Sequence, residues 1–112
     1  MTLATPAVCL VGAPTDVGAG LRGTGMGPAA LRVAGLAEAI RAQGRAVIDA
    51  GDLTGPRHPG EGSGSQGLRH VDEVVAWNRA VFDAVAAALG RGEFPLLMGG
   101  DHSLAVGSIS AV

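Results

Sequence analysis

Three short apolar runs, each leading into a glycine turn and separated by stretches of helical spacing, constrain this chain more than anything else in it. Ala7-Val8-Cys9-Leu10-Val11 runs unbroken into Gly12, and such a run reads as a strand buried on both faces. Residues 45–50 read as a second strand closed by Gly51-Asp52, and residues 94–98 as a third, followed by Gly99-Gly100. Between the first two, Pro28 marks a helix start, because its fixed φ suits the first turn and its missing N–H is not needed there. Leu31, Gly35, Leu36, Ala39 and Ile40 then recur at helical spacing up to a stop at Gly44. Between the second and third, residues 71–89 carry Val74, Trp77, Val81, Val85 and Leu89 as an apolar stripe, with Gly90 as the stop. Ser103 is placed to cap a last helix from Leu104. The order β-α-β-α-β-α predicts an α/β fold, a parallel sheet with right-handed crossovers in a three-layer α/β/α arrangement. Its content is three strands and about two and a half helices, half of a doubly wound sheet, within a single partial domain spanning 1–112.

The 112 residues make one domain at most, with 47% apolar and 16% charged residues, which argues against disorder throughout. Residues 54–67 are the exception. They are Gly, Pro, Ser and charge, with nothing to bury, and read as a flexible surface loop. Lys is absent, the eight Arg are scattered and the net charge is -2, so no basic patch supports nucleic-acid binding. No run approaches the roughly 20 apolar residues of a membrane span, and no signal peptide is apparent. The single Cys9 cannot form an internal disulfide. A cytoplasmic protein is expected.

The chemistry-bearing residues sit after the predicted strands, where open α/β sheets bind ligands. Gly99-Gly100-Asp101-His102-Ser103 places an imidazole where a strand stops and a helix begins. His102 could ligate a metal through one nitrogen, with Asp101 steering its tautomer. On spacing alone the capping reading is favoured, with Asp101 and Ser103 holding a helix start, because one histidine is not a metal site. Asp52, facing the same rim, either helps with metal or substrate or is an ordinary turn residue. Asp49 is expected to make a structural hydrogen bond, and His58 and His70 to be solvated. Asp16, Gly18, Gly20, Arg22, Gly23 and Gly27 fill the first strand-to-helix loop. Gly18-Ala19-Gly20-Leu21-Arg22-Gly23 matches G-x-G-x-x-G, the pattern of a small dinucleotide-binding domain, but it begins six residues past the strand and precedes the helix start. A loop needing several positive φ angles is the plainer reading. Cys9 and Trp77 are expected in the core.

Three segments together resemble the N-terminal part of the arginase family, the ureohydrolases. The first is Gly12-Ala13-Pro14-Thr15-Asp16-Val17-Gly18-Ala19-Gly20, running through Arg22-Gly23 to Gly27-Pro28-Ala29-Ala30-Leu31-Arg32 and Ala34-Gly35-Leu36. The second is Gly51-Asp52-Leu53. The third runs from Leu97-Met98-Gly99-Gly100-Asp101-His102-Ser103 through Leu104-Ala105-Val106-Gly107-Ser108-Ile109. Gly-Ala-Gly followed by Arg-Gly is more like arginases than agmatinases.

The resemblance implies that His102 is a ligand of one manganese ion in a two-metal site. Asp101, Ser103, Gly99 and Gly100 would support it, and Asp16, Arg22 and Asp52 would stand on its rim. It implies two Mn2+ per complete site, whose shared hydroxide attacks the guanidinium carbon of L-arginine to give ornithine and urea. It also implies trimers or hexamers of the full-length form. The family's further ligands, in Asp-Ala-His-x-Asp and Asp-x-Asp-x-x-Asp motifs, are not among these residues. The 112 residues alone are therefore expected to be inactive and to hold manganese weakly. A non-catalytic α/β interaction module is the alternative from a different class, with the dinucleotide domain behind it.

Overall fold

The computed structural model describes residues 5–59 and 70–112. Strand β1 (Val8–Ala13) leads through a single 3-10 turn (Thr24–Met26) to helices α1 (Gly27–Val33) and α2 (Leu36–Ala42). Strand β2 (Val47–Asp52), the long helix α3 (Val71–Gly90), strand β3 (Phe94–Gly99), a second 3-10 turn (His102–Leu104) and the short helix α4 (Ala105–Ser110) follow. The sheet order is β2-β1-β3, and both pairings are parallel. The predicted β-α-β-α-β-α order and the parallel three-layer arrangement hold.

β1 is central, and all six of its residues are buried. Its alternation divides the core between two faces. Val8 and Leu10, with Met98, pack against Leu36, Ala37 and Ile40 of α2. Cys9 and Val11 face Ala84 and Ala88 of α3. Ala13 continues that side toward Val17, Trp77, Val81, Val85 and Leu104. Cys9 and Trp77 are thus core residues, as expected.

Several details differ from the sequence reading. The first helix is two helices, because Gly35 takes φ 91°, a left-handed conformation that glycine alone enters without penalty. The break lets α2 change direction and lay its apolar side on the sheet. The second strand runs 47–52 rather than 45–50, which puts Asp52, as well as Asp49, in the strand itself. Leu89 is exposed, and Ala88 takes the buried position against Cys9 and Val11. The cap before α4 is Asp101, not Ser103, which lies inside the 3-10 turn. His70 is buried at the start of α3, and its ring meets that of His58 edge to face at 4.8 Å, so the two are not simply solvated.

Of the stretch expected to be a flexible loop, residues 60–67 lie outside the described residues. The preceding part is held against the core without burying an apolar side chain of its own. Trp77 Nε1–H donates to the Pro56 carbonyl at 2.8 Å. Gly55 lies flat on the indole, where a Cβ would come within 2.5 Å of Cδ2. Backbone polarity and a missing side chain do the docking here, and composition shows neither.

Candidate functional site

The site is built where β3 ends. Gly99 and Gly100 carry the chain off the sheet, joined by a cis peptide bond. Gly100 takes φ 110° and passes so close to β1 that a Cβ would sit 2.6 Å from the Ala13 carbonyl oxygen. Only glycine fits both conditions. The backbone then fastens to the loop after β1. Gly100 N–H donates to Thr24 O, and Asp101 N–H to Thr15 O, each at 3.1 Å. Gly27, the first residue of α1, lies against the Gly99 carbonyl with no room for a side chain.

Asp101 ties this turn together. It is buried, and both of its carboxylate oxygens are engaged. Oδ1 accepts the Ser103 N–H at 2.8 Å and the Ser103 hydroxyl. Oδ2 accepts the Gly18 N–H at 3.0 Å. The first pair is an N-terminal cap on the 3-10 turn. The second reaches 83 residues back along the chain. The carboxylate therefore works on backbone and hydroxyl donors rather than on the imidazole beside it. His102 is exposed and lines a cleft of about 400 Å³ with Leu97, Gly99, Gly100, Leu104, Ala105 and Ser108. The capping and ligand readings of this turn are thus compatible, because capping takes Asp101 and leaves His102 facing outward.

The glycine-rich loop after β1 cradles that turn. Asp16 is buried and accepts the Gly23 N–H at 2.8 Å, closing the loop on itself, with Arg22 ion-paired to it at 3.6 Å. Of its glycines only Gly23 has a positive φ. Most of the others answer to close approach instead: a Cβ on Gly18 would lie 2.5 Å from Ser103 Oγ and 2.7 Å from Asp101 Oδ1. The expectation of several positive φ angles fails for that reason. The dinucleotide reading of Gly18 to Gly23 fails too. The segment leads into a 3-10 turn rather than a helix, and the N–H groups of Gly18 and Gly23 are already bonded to carboxylates. A pyrophosphate would need such donors unclaimed.

Asp52 closes β2 at the same carboxyl rim of the sheet, level with Gly12, and its side chain is engaged there. Its carboxylate pairs with Arg32 Nη1 at 2.5 Å, while Asp49 accepts from Arg32 Nε at 2.9 Å and Nη2 at 3.0 Å. One guanidinium from α1 thus bridges two carboxylates of β2. The Arg32 bonds, and then the Gly51 N–H, hold the Asp49 carboxyl below the usual carboxylate range, and the two carboxylates raise Arg32 in turn. Gly12 has no side chain because one would strike the Asp52 carboxylate. Asp49 is the structural group the sequence suggested, and Asp52 is its companion.

Among the described residues no three His, Cys, Asp or Glu side chains stand together as a metal site. His102 suits one ligand position: an imidazole on a fastened turn with open space before it. One neutral donor does not hold a pair of dications.

The chain matches the family model for the arginase family over residues 6–112. It belongs to the arginase family. An arginase from Brevibacillus brevis is 40% identical over 105 residues, which are 92% of this chain and 34% of that protein. The arginase of Bacillus caldovelox superposes with a TM-score of 0.87 at 34% identity, over 96% of this chain and 36% of that one. An Entamoeba histolytica arginase, solved in complex with L-ornithine, gives a TM-score of 0.80 at 25% identity, over 97% and 36%. The chain spans about a third of the length of these relatives. No helix among the described residues is long and apolar enough to cross a membrane.

One contributor escaped the sequence reading. Asn78 on α3 accepts the Gly107 N–H of α4 through Oδ1 at 2.7 Å. A lone Asn beside the Trp77 stripe carries no local signal of a partner 29 residues away.

Proposed function

We propose that these residues form the His102-bearing part of a manganese-dependent hydrolase that converts L-arginine to L-ornithine and urea, of arginase rather than agmatinase type. The observation that carries this reading is the exposed His102 imidazole at the carboxyl end of β3, on a turn fastened by Asp101 to the loop after β1. His102 is one metal ligand. Asp101, Ser103, Gly99 and Gly100 hold its backbone. Asp16 and Arg22 shape the loop beneath it, and Asp52 serves the β2 rim through Arg32. The remaining donors come from sequence beyond these 112 residues, which alone are inactive. A guanidinium carbon is a poor electrophile because resonance spreads its charge, and a bound metal pair supplies the strong nucleophile it needs at neutral pH. The L-ornithine bound to the Entamoeba relative fits this choice of substrate. Trimers or hexamers and a cytoplasmic location accompany the reading.

Urea release tests it. The purified 112-residue chain with Mn2+ and L-arginine should release no more urea than its His102→Ala variant. A longer reading frame containing these residues should release urea from L-arginine in preference to agmatine, and lose that activity with His102→Ala. Preference for agmatine, or activity indifferent to His102, refutes the assignment.

A further inference from the structure

The loops after β1 and β2 lie side by side at the carboxyl edge of the sheet, because the two strands are paired, and open α/β sheets take ligands at that edge. Between these loops is a cleft of about 610 Å³, a size that suits a small organic molecule. It shares no lining residue with the His102 cleft. Its inner wall is apolar: Val17 and Trp77 are buried, and Leu53 packs against the same cluster. The wall is also fixed, because Trp77 spends its N–H on the Pro56 carbonyl and Gly55 lies on the indole. The lips are cationic. Arg57 directly follows the anchored Pro56, is exposed, and has no hydrogen bond or ion pair among the described residues. Arg22 stands on the opposite loop. It pairs with Asp16 through Nε at 3.6 Å, which leaves the donors on both η nitrogens unclaimed among the described residues. The Asp16 carboxylate also lines the cleft, but Arg22 and the Gly23 N–H occupy it. The charge left over is that of Arg57, on a chain whose net charge is -2. His58 completes the rim, its ring set against that of His70.

We propose that this cleft binds a small organic oxyanion, a carboxylate or a phosphate monoester, with its charged end between Arg22 and Arg57 and its apolar body against Val17, Leu53 and Trp77. A guanidinium presents paired N–H donors that match two oxygens of either group. The apolar wall favours an anion with a hydrocarbon body over a bare inorganic ion. The proposal stands apart from the role of His102 and needs no metal. Trp77, the only tryptophan, reports on the cleft directly. The test titrates the 112-residue chain with pentanoate and with butyl phosphate, both transparent where tryptophan absorbs, and follows Trp77 emission and the heat of binding. At least one of the two should bind saturably, with a Kd in the millimolar range or tighter, and the tighter one identifies the anionic group. Pentanol has the body without the charge and should bind roughly tenfold more weakly or worse. Arg57→Gln removes a charged donor from an exposed side chain that holds nothing else, so the native contacts are kept. It should weaken binding of the anion by roughly tenfold or more. Arg79→Gln, exposed on α3 outside this cleft, changes the net charge equally and should leave the affinity within about twofold. A titration with no saturable signal in either emission or heat overturns the proposal. So does pentanol binding as tightly as the anions, equal affinity in Arg57→Gln and wild type, or equal losses in Arg57→Gln and Arg79→Gln.

Discussion

Gly18→Ala tests whether the loop after β1 is a cradle for the His102 turn or merely a glycine-rich connection. Gly18 has no left-handed φ, so alanine carries no backbone penalty there, and any loss relative to Gly20→Ala must come from contact. The added Cβ would lie 2.5 Å from Ser103 Oγ and 2.7 Å from Asp101 Oδ1, whereas real Cβ contacts stay above about 3.0 Å. Relief requires Ser103 to turn away from Asp101, or Asp101 to retreat from the Gly18 N–H. Overpacking of this kind costs about 1–3 kcal/mol. With the weakened bond to an ionised carboxylate, the loss should fall in the upper part of that range, about 2–3 kcal/mol. That is a large share of the ~5–15 kcal/mol available to a small domain. Urea unfolding can be followed through Trp77, the only tryptophan in the chain. At a slope of about 1–2 kcal/mol per molar, the midpoint should fall by roughly 1–3 M. Gly20→Ala is the control, because nothing lies within 4 Å of its Cβ position. It should be neutral, or stabilising by up to about 1 kcal/mol through the unfolded chain. Equal midpoints for Gly18→Ala and wild type, or equal losses for the two variants, would refute the cradle.

Two further outcomes follow from the same contacts. Arg32→Met should cost about 1 kcal/mol or less, since the paired carboxylates are partly solvated, and the loss should shrink in high salt. Because Arg32 depresses Asp49, the pair's contribution is complete above the unfolded carboxylate pKa, near 4, and fades as pH falls through the lower folded value. Acid titration of stability should therefore show a shallower loss below pH 4 in Arg32→Met than in wild type, and parallel acid limbs would contradict the pairing. Cys9 is 1% exposed, and burial pushes its thiol up. It should react with an aromatic disulfide reagent only at the rate of global unfolding, and stoichiometric labelling within the dead time under native conditions would place it outside the core.

The sequence by itself determined the elements, because apolar period and glycine or proline punctuation are local signals. An unbroken apolar β1, the α3 stripe and the stops at Gly44 and Gly90 suffice to order β-α-β-α-β-α. The three resembling segments were likewise enough to point to the family. Tertiary structure decided what the polar residues do. Asp101 could be a cap or a partner of His102 until Gly18, 83 residues upstream, claimed one of its oxygens. Asp52 could be a rim group or a turn residue by sequence, and only the fold set Arg32 of α1 across it. Gly18, Gly27 and Gly107 are needed for the proximity of another segment rather than for their own φ, and Asn78 matters only because α4 lies beside α3. Periodicity reports which side of an element is buried. It does not report which distant donor or carbonyl waits there, because that depends on how the elements cross. The chemistry of this turn is set by such crossings, with the loops after β1 and β3 fastened together and α4 latched to α3.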